Sequence, residues 1–334
     1  MSQRESLLWE EMLEEFRALG GTADNVCLGQ GRLGRGLFPR DPAKPVRVRI
    51  SDNLLVDWKH VEFENDVFRI SAAAQISARE KAFLENYYRD FSWGAGRQEL
   101  TGLLQMMHDA PAELREVLRP FYAFRWLEHP TPKTVQARFL DSRVIGYKGG
   151  DVIMPIVELA NHGHATQYQT ADGVGLSGTF SGEILVQYQL CDPLQIFGKW
   201  GFASDSESFA LSLPLKPGSL GIAIRREDVE LKPGTTPFFP KVATTGFQMT
   251  LSYLMLGHKN YPRLARGIFY RIMRDAGRTD AEDVFDFIHH TNRMQFFKLI
   301  AASEMAAPPL GQLLRKVARY QLEAMSHSIG TRDV

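Results

Sequence analysis

The apolar positions of this chain fall into four successive patterns. Leu8, Trp9, Met12, Leu13, Phe16 and Leu19 recur at spacings of three and four before Gly20-Gly21, which predicts an amphipathic helix with a glycine stop, packed as a lid on the segment after it. From Val46 to Val61, alternation at Val46, Val48 and Ile50 and then Leu54-Leu55-Val56, broken by the turn pair Asp52-Asn53, predicts short strands. Ser77-Ala-Arg79-Glu80 resembles a helix opening. From there to about Arg125, Phe83, Leu84, Tyr87, Tyr88, Leu103, Leu104, Leu114, Leu118 and Phe121 keep helical periods, with Pro111 as a break. Thr134 to about Arg225 reads as short, glycine-rich strands, and Tyr261 onward as three helices with a capping box at Thr279 and Glu282.

The order strands, helices, strands, helices predicts an α+β protein of short β-sheets with a helical insertion at about 76–130. The prolines and glycine of Leu231-Lys-Pro233-Gly234-Thr-Thr-Pro237 suit a boundary, giving a mixed domain over 1–230 and an all-helical one over 238–334. At 334 residues, 44% hydrophobic and 23% charged, the chain can bury its own core, which excludes the disordered and fibrous classes. Lysine plus arginine and aspartate plus glutamate are 39 each, so no global field attracts nucleic acid. No apolar run approaches the ~20 residues that span a bilayer, so no membrane partner is expected. Cys27 and Cys191 have no CxxC neighbour and cannot build a disulfide framework. With an amphipathic start in place of a signal-peptide pattern, these features predict a cytoplasmic monomer.

Gly29-Gln30-Gly31-Arg32-Leu33-Gly34 fits the GxGxxG pattern of dinucleotide sites. That motif works only between a strand and the helix whose N-terminus holds the pyrophosphate. Here a helix precedes it and Pro39, Pro42 and Pro45 come after it, so the dinucleotide reading is rejected. His289-His290 on the tail is no metal site either, since neighbours on a helix face different ways and no ligand stands at i+4.

A second set of pieces carries chemistry. In chain order these are Gly34-Arg35-Gly36-Leu37-Phe38, Ser142-Arg143, Pro155-Ile-Val-Glu158-Leu-Ala-Asn161-His162, Gly182-Glu183-Ile-Leu-Val-Gln-Tyr188 and Trp200-Gly201-Phe202. Each alone is commonplace as a turn, a polar pair or strand packing. In this order they resemble the SET-domain protein methyltransferases, in the subgroup that includes Rubisco large-subunit methyltransferase, over about Gly29 to Ser204 and more weakly in the tail.

The resemblance implies S-adenosyl-L-methionine as cofactor, a protein as partner and substrate, and methyl transfer to the lysine amine of a non-histone protein. It assigns Leu33, Gly34, Arg35 and Gly36 to the methionine end, Arg143 beside Ser142 to the methionine carboxylate, Glu158, Asn161 and His162 to the cofactor pocket, and Phe202 to the adenine. Tyr188 would be the catalytic residue, with Trp200 and Tyr147, joined by Tyr168 and Phe180, as channel walls for the acceptor. Three positions depart from the family: Glu158 stands for aspartate, Trp200 for a second tyrosine, and Gln189-Leu190 for the glycine after the catalytic tyrosine. A histidine acceptor and a non-catalytic module of the same fold therefore stay open. The tail would recognise the protein substrate, so deletion after about Leu256 is expected to spare cofactor binding and abolish transfer.

Overall fold

Helix α1 (Gln3–Ala18) buries Trp9, Leu13 and Phe16 on one face. It stops because Gly20, at φ +90°, lets the Gly20 and Gly21 amides close back on the carbonyls of Arg17 and Phe16. This is the glycine stop expected from sequence. The computed structural model describes residues 3–121, 126–216, 218, 220–226, 239–246 and 248–327. The expected boundary at 231–237 lies outside the described residues. The chain forms two compact units, residues 1–102 with 130–188 and residues 103–129 with 189–334.

In the first unit, β1 (Thr22–Asp24), β2 (Val26–Gly31), β3 (Gly34–Pro39), β4 (Val46–Ile50), β5 (Val61–Glu64) and β6 (Val67–Ile70) precede α2 (Ala78–Phe91) and the start of α3 (Trp93–His108), which is divided between the units after Gly102. After α4 (Ala112–Leu118), which belongs to the second unit, come α5 (Pro132–Asp141), β7 (Val144–Tyr147), β8 (Gly150–Ile153), β9 (Asn161–Gln167), β10 (Val174–Gly178) and β11 (Leu185–Gln187). The strands make small sheets: β1–β4–β10, the hairpins β2–β3, β5–β6 and β7–β8, and the parallel pair β9–β11. Stacked Phe68 and Tyr88 (4.0 Å between rings), with Phe63, Trp93 and Phe139 edge-on or tilted against them and one another, fill the core between β6, α2 and α5.

Local chemistry explains where sequence periods succeeded and where they failed. Ser77 and Glu80 form a complete capping box at α2, with Ser77 Oγ accepting from the Glu80 amide and Glu80 Oε2 from the Ser77 amide. Leu54-Leu55-Val56, expected as strand, overlaps the end of a 3₁₀ turn over Asp52–Leu54, whose Leu54 amide closes on the Ser51 carbonyl. The stretch from Thr134, expected as strands, contains two helices. Thr131 caps α5 and Pro132 starts it, an N-terminal signal that outweighed the glycines nearby.

The second unit continues with α6 (Pro193–Trp200), β12 (Phe209–Leu211), β13 (Ile222–Ile224), β14 (Val242–Thr245), β15 (Gln248–Leu251), β16 (Met255–His258), α7 (Leu264–Asp275), α8 (Ala281–Ala302) and α9 (Pro308–Ser326). Strands β14 to β16 correct the expectation that 238–334 is all helical. The division of the chain also differs from the expected one: α4 packs on α8, Phe121 meets Phe296 edge-on at 5.1 Å, and the Trp126 indole donates to the carbonyls of Phe197 and Gly198, so residues 103–129 serve the second core. Asp192 is the polar hub. It caps α6 through the Gln195 amide, accepts from the Leu211 amide and the Gln321 side chain, and pairs with buried Arg226. The Thr279–Glu282 box does not form; α8 starts after Asp280, whose carboxylate is taken by Arg278. His289 is buried with a ring nitrogen 3.2 Å from the Met325 carbonyl, and His290 is exposed. Among the described residues no helix is long and apolar enough to cross a membrane.

Candidate active site

The GxGxxG stretch is the β2–β3 hairpin, in antiparallel register with Gly29 opposite Gly36 and Gly31 opposite Gly34. Strand β3, and not a helix, follows the turn, so the stretch lacks the helix N-terminus that the dinucleotide motif needs. The hairpin instead abuts Asn161, at the start of β9, and Glu183, just before β11. Asn161 Nδ2 donates to the Arg35 carbonyl (3.1 Å) and to Glu183 Oε1 (2.5 Å), and the Ile184 amide donates to the Leu37 carbonyl (2.8 Å). Gly36 lets these side chains come close: a Cβ there would lie 2.6 Å from Glu183 Oε1 and 2.7 Å from Asn161 Nδ2, so both would have to move. A Cβ at Gly31 would collide with Glu183 Oε2 in the same way.

Five residues before Asn161 the backbone is strained. Ile156 sits at φ +69°, ψ −61°, the centre of a γ-turn closed by the Val157 amide on the Pro155 carbonyl (2.9 Å). A β-branched residue there costs about 1–3 kcal/mol, and such strain clusters at functional sites. The turn carries Glu158 into the interior with its side chain wholly buried. Glu158 Oε1 accepts from the Tyr87 hydroxyl at 3.0 Å, while Oε2 faces Arg143 Nε at 3.6 Å. These two facing atoms are buried and make an ion pair longer than a hydrogen bond, with the buried Ser92 hydroxyl a further polar neighbour of the carboxylate. Burial raises the Glu158 carboxyl above its ordinary range, opposed by Arg143 and then by the Ser92 and Tyr87 hydroxyls. Arg143 also donates to Ser142 Oγ (3.0 Å), stacks on Phe139 and keeps about a third of its side chain exposed (32%).

Tyr188 closes the cluster. Its hydroxyl donates to the Ala160 carbonyl (2.9 Å), and its backbone amide lies 3.4 Å from His162 Nδ1, with the two rings 5.1 Å apart. Burial pushes the phenol up to about 12, against the pull of Arg143 and helped by Glu158 and Glu183. Tyr168 shares these surroundings: its buried hydroxyl has no hydrogen-bond partner, and burial followed by the charges of Tyr188 and Glu158 raises it well above the ordinary phenol value.

The first unit thus brings together Arg35, Gly36, Ser142, Arg143, Glu158, Asn161, His162 and Tyr188, which stand up to 153 residues apart in sequence, from Arg35 to Tyr188. Leu33 and Gly34 lie at the hairpin turn, with Leu33 exposed. Tyr147 is held elsewhere: its hydroxyl donates to Asp52 and accepts from the Gly173 amide, which makes it a tie between the β7–β8 hairpin and β4's end. Trp200 ends α6 in the second unit, where the Lys199 ammonium lies over its ring, and Phe202 comes two residues later there. Tyr87 and Ile156 are functional candidates that sequence patterns hide, since one looks like core on a helix and the other like strand. Glu183 stands inside its sequence motif, but only the structure gives it a role.

No family model matches this chain, and no curated protein matches it in sequence. Among solved structures the chain is similar to a crystal structure of the SET domain of LSMT bound to lysine and AdoHcy, with 11% identity, a TM-score of 0.46, and 97% of this chain and 90% of that one covered. A likeness at that identity and score fixes neither the arrangement of the sheets nor a ligand.

Proposed function

We propose that this chain is a SET-type methyltransferase that moves a methyl group from S-adenosylmethionine to a protein side chain, most directly a lysine amine. The observation that carries the reading is the convergence of the motif pieces, separate in sequence, around the buried Arg143–Glu158 pair and Tyr188. The residues fit the cofactor. The part-exposed Arg143 guanidinium suits its carboxylate, and the glycines of the β2–β3 hairpin allow close backbone approach.

When bound, the cofactor supplies an activated methyl on a sulfonium. The protein's part is then positioning and desolvation. Tyr188 keeps its proton at neutral pH, since its phenol titrates at about 12, and that proton is committed to the Ala160 carbonyl. Toward an acceptor amine the phenol oxygen is therefore a hydrogen-bond acceptor, able to aim the nitrogen lone pair. An acceptor lysine must lose its proton from a starting pKa of ~10.4. The same burial that raises Tyr188 and Tyr168 disfavours an ammonium, and the Arg143 charge adds to that effect.

Calorimetric titration of the purified protein with S-adenosylmethionine tests the reading. Saturable binding is expected, weakened about tenfold or more in Arg143→Ala through loss of a charge-assisted hydrogen bond. A wild-type protein that takes up no cofactor contradicts it.

A further inference from the structure

We propose that Glu183 is a positioning residue that locks the amide of Asn161 in one orientation and thereby sets what that residue can offer a ligand; its effect on the cofactor rests on the methyltransferase reading. An asparagine amide is ambiguous by itself, because its oxygen and nitrogen are nearly the same size and opposite in hydrogen-bonding sense. The surroundings of Asn161 remove the ambiguity. Its nitrogen faces the Arg35 carbonyl at 3.1 Å and Glu183 Oε1 at 2.5 Å, and both are acceptors only. A flipped amide would set its oxygen against a carboxylate and a carbonyl. With both N–H groups committed, Asn161 can present only its Oδ1, so the ligand group that meets this side chain must be a hydrogen-bond donor, a role that an ammonium fills.

Glu183 is held to this task by fit. Its two carboxylate oxygens approach the hairpin at its glycines, 2.3 Å from where a Cβ at Gly31 would stand and 2.6 Å from where one at Gly36 would. The neighbouring Ile184 amide, bonded to the Leu37 carbonyl, fixes the backbone that carries it. One side chain therefore joins the glycine hairpin, the start of β9 and the segment that leads through β11 to Tyr188.

The test compares Glu183→Ala with Glu183→Gln in the full-length protein. The Asn161 side-chain amide is followed by ¹⁵N NMR, assigned by its loss in Asn161→Asp, and cofactor affinity is measured by calorimetry. Glu183→Ala should shift the Asn161 amide toward the values of exposed asparagines, speed its proton exchange and weaken the cofactor about tenfold, the usual scale for one charged hydrogen bond. Glu183→Gln, which keeps an acceptor oxygen of the same reach, should restore most of both; a role in bulk folding alone would move the melting temperature without this paired recovery. If the alanine variant does not fold, Glu183→Asp, one methylene shorter, should show the same two losses. An Asn161 amide unmoved in the variants while the wild type binds cofactor overturns the Glu183 assignment alone. Failure of the wild type to bind cofactor overturns the methyltransferase reading and with it Glu183's effect on that ligand, while the NMR comparison still decides the lock.

Discussion

Tyr188, Glu158 and Ile156 show how single residues divide between what a sequence displays and what only packing creates. Tyr188 and Asn161-His162 were legible because their chemistry depends on residue type, and the structure sets them side by side. Glu158 was legible as an acid, but its raised carboxyl comes from burial among groups that are distant in sequence. The strained turn at Ile156 has no sequence signal, since isoleucine is a poor choice for positive φ and is held there by the fold. Tyr147 has a tie that its sequence does not display: its hydroxyl joins Asp52 and the Gly173 amide, which packing alone brings together.

Three predictions belong at this scale. Tyr188→Phe keeps the ring and loses the Ala160 hydrogen bond, so it should bind cofactor as the wild type does while methyl transfer falls about a hundredfold, the usual result of a misaligned reactant; retained turnover would remove Tyr188 from the mechanism. Because the folded phenol titrates at about 12 against 10.0 unperturbed, the folded state holds the proton that the unfolded state has lost between those values. Stability should therefore fall as pH rises through that window, more steeply than in Tyr188→Phe; chemical denaturation at stepped alkaline pH reads this directly. The sign for Glu158 is the same in a lower window. Its carboxyl is raised from 4.5, so the wild type should lose stability relative to Glu158→Gln as pH rises above about 4.5, and a difference that stays constant from acid to neutral pH would disprove it.

At the scale of elements, ends proved more informative than middles. The glycine stop of α1 and the Ser77–Glu80 box of α2 appeared as expected, and the three tail helices lie where the period of three to four placed them. Helices α5 and α6 were lost in a stretch judged by its glycines, although each opens with a capping residue followed by proline, Thr131-Pro132 and Asp192-Pro193. At α8 the N-cap is Asp280, one residue beyond the expected Thr279, and its carboxylate is taken by Arg278. Asp192 shows how much one such capping residue can carry. Asp192→Ala removes the α6 cap, the acceptor of the Leu211 amide and of the Gln321 side chain, and the carboxylate that pairs with buried Arg226, so it should cost about 3–5 kcal/mol in denaturant unfolding. A loss under about 1 kcal/mol would mean that the hub is not structural.

For the whole molecule, the two units are interleaved along the chain, which passes between them after Gly102, His129 and Tyr188. Composition marks only one of them, where Pro130 and Pro132 follow His129; the residues that choose a unit otherwise do so by core contacts made far away, such as Phe121 with Phe296. This changes the outcome expected of a truncation. Removing everything after about Leu256 takes away α7 to α9 and part of β16, and with them the surfaces that α4, α6 and β12 pack against. The truncated chain should lose the cooperative unfolding of its second unit and expose apolar surface to dye binding; a truncated protein that unfolds as sharply as the full chain would restore the simpler picture of a separable tail.

We propose methyl transfer from S-adenosylmethionine to a protein at the Arg143–Glu158–Tyr188 cluster. The direct measurement is mass spectrometry of a cell lysate incubated with the purified protein and isotope-labelled cofactor, run beside the Tyr188→Phe variant. Labelled methyl groups on lysines of one or a few proteins are expected with the wild type, and their loss with the variant. Labelling that is absent with the wild type, or equal with both, would contradict it.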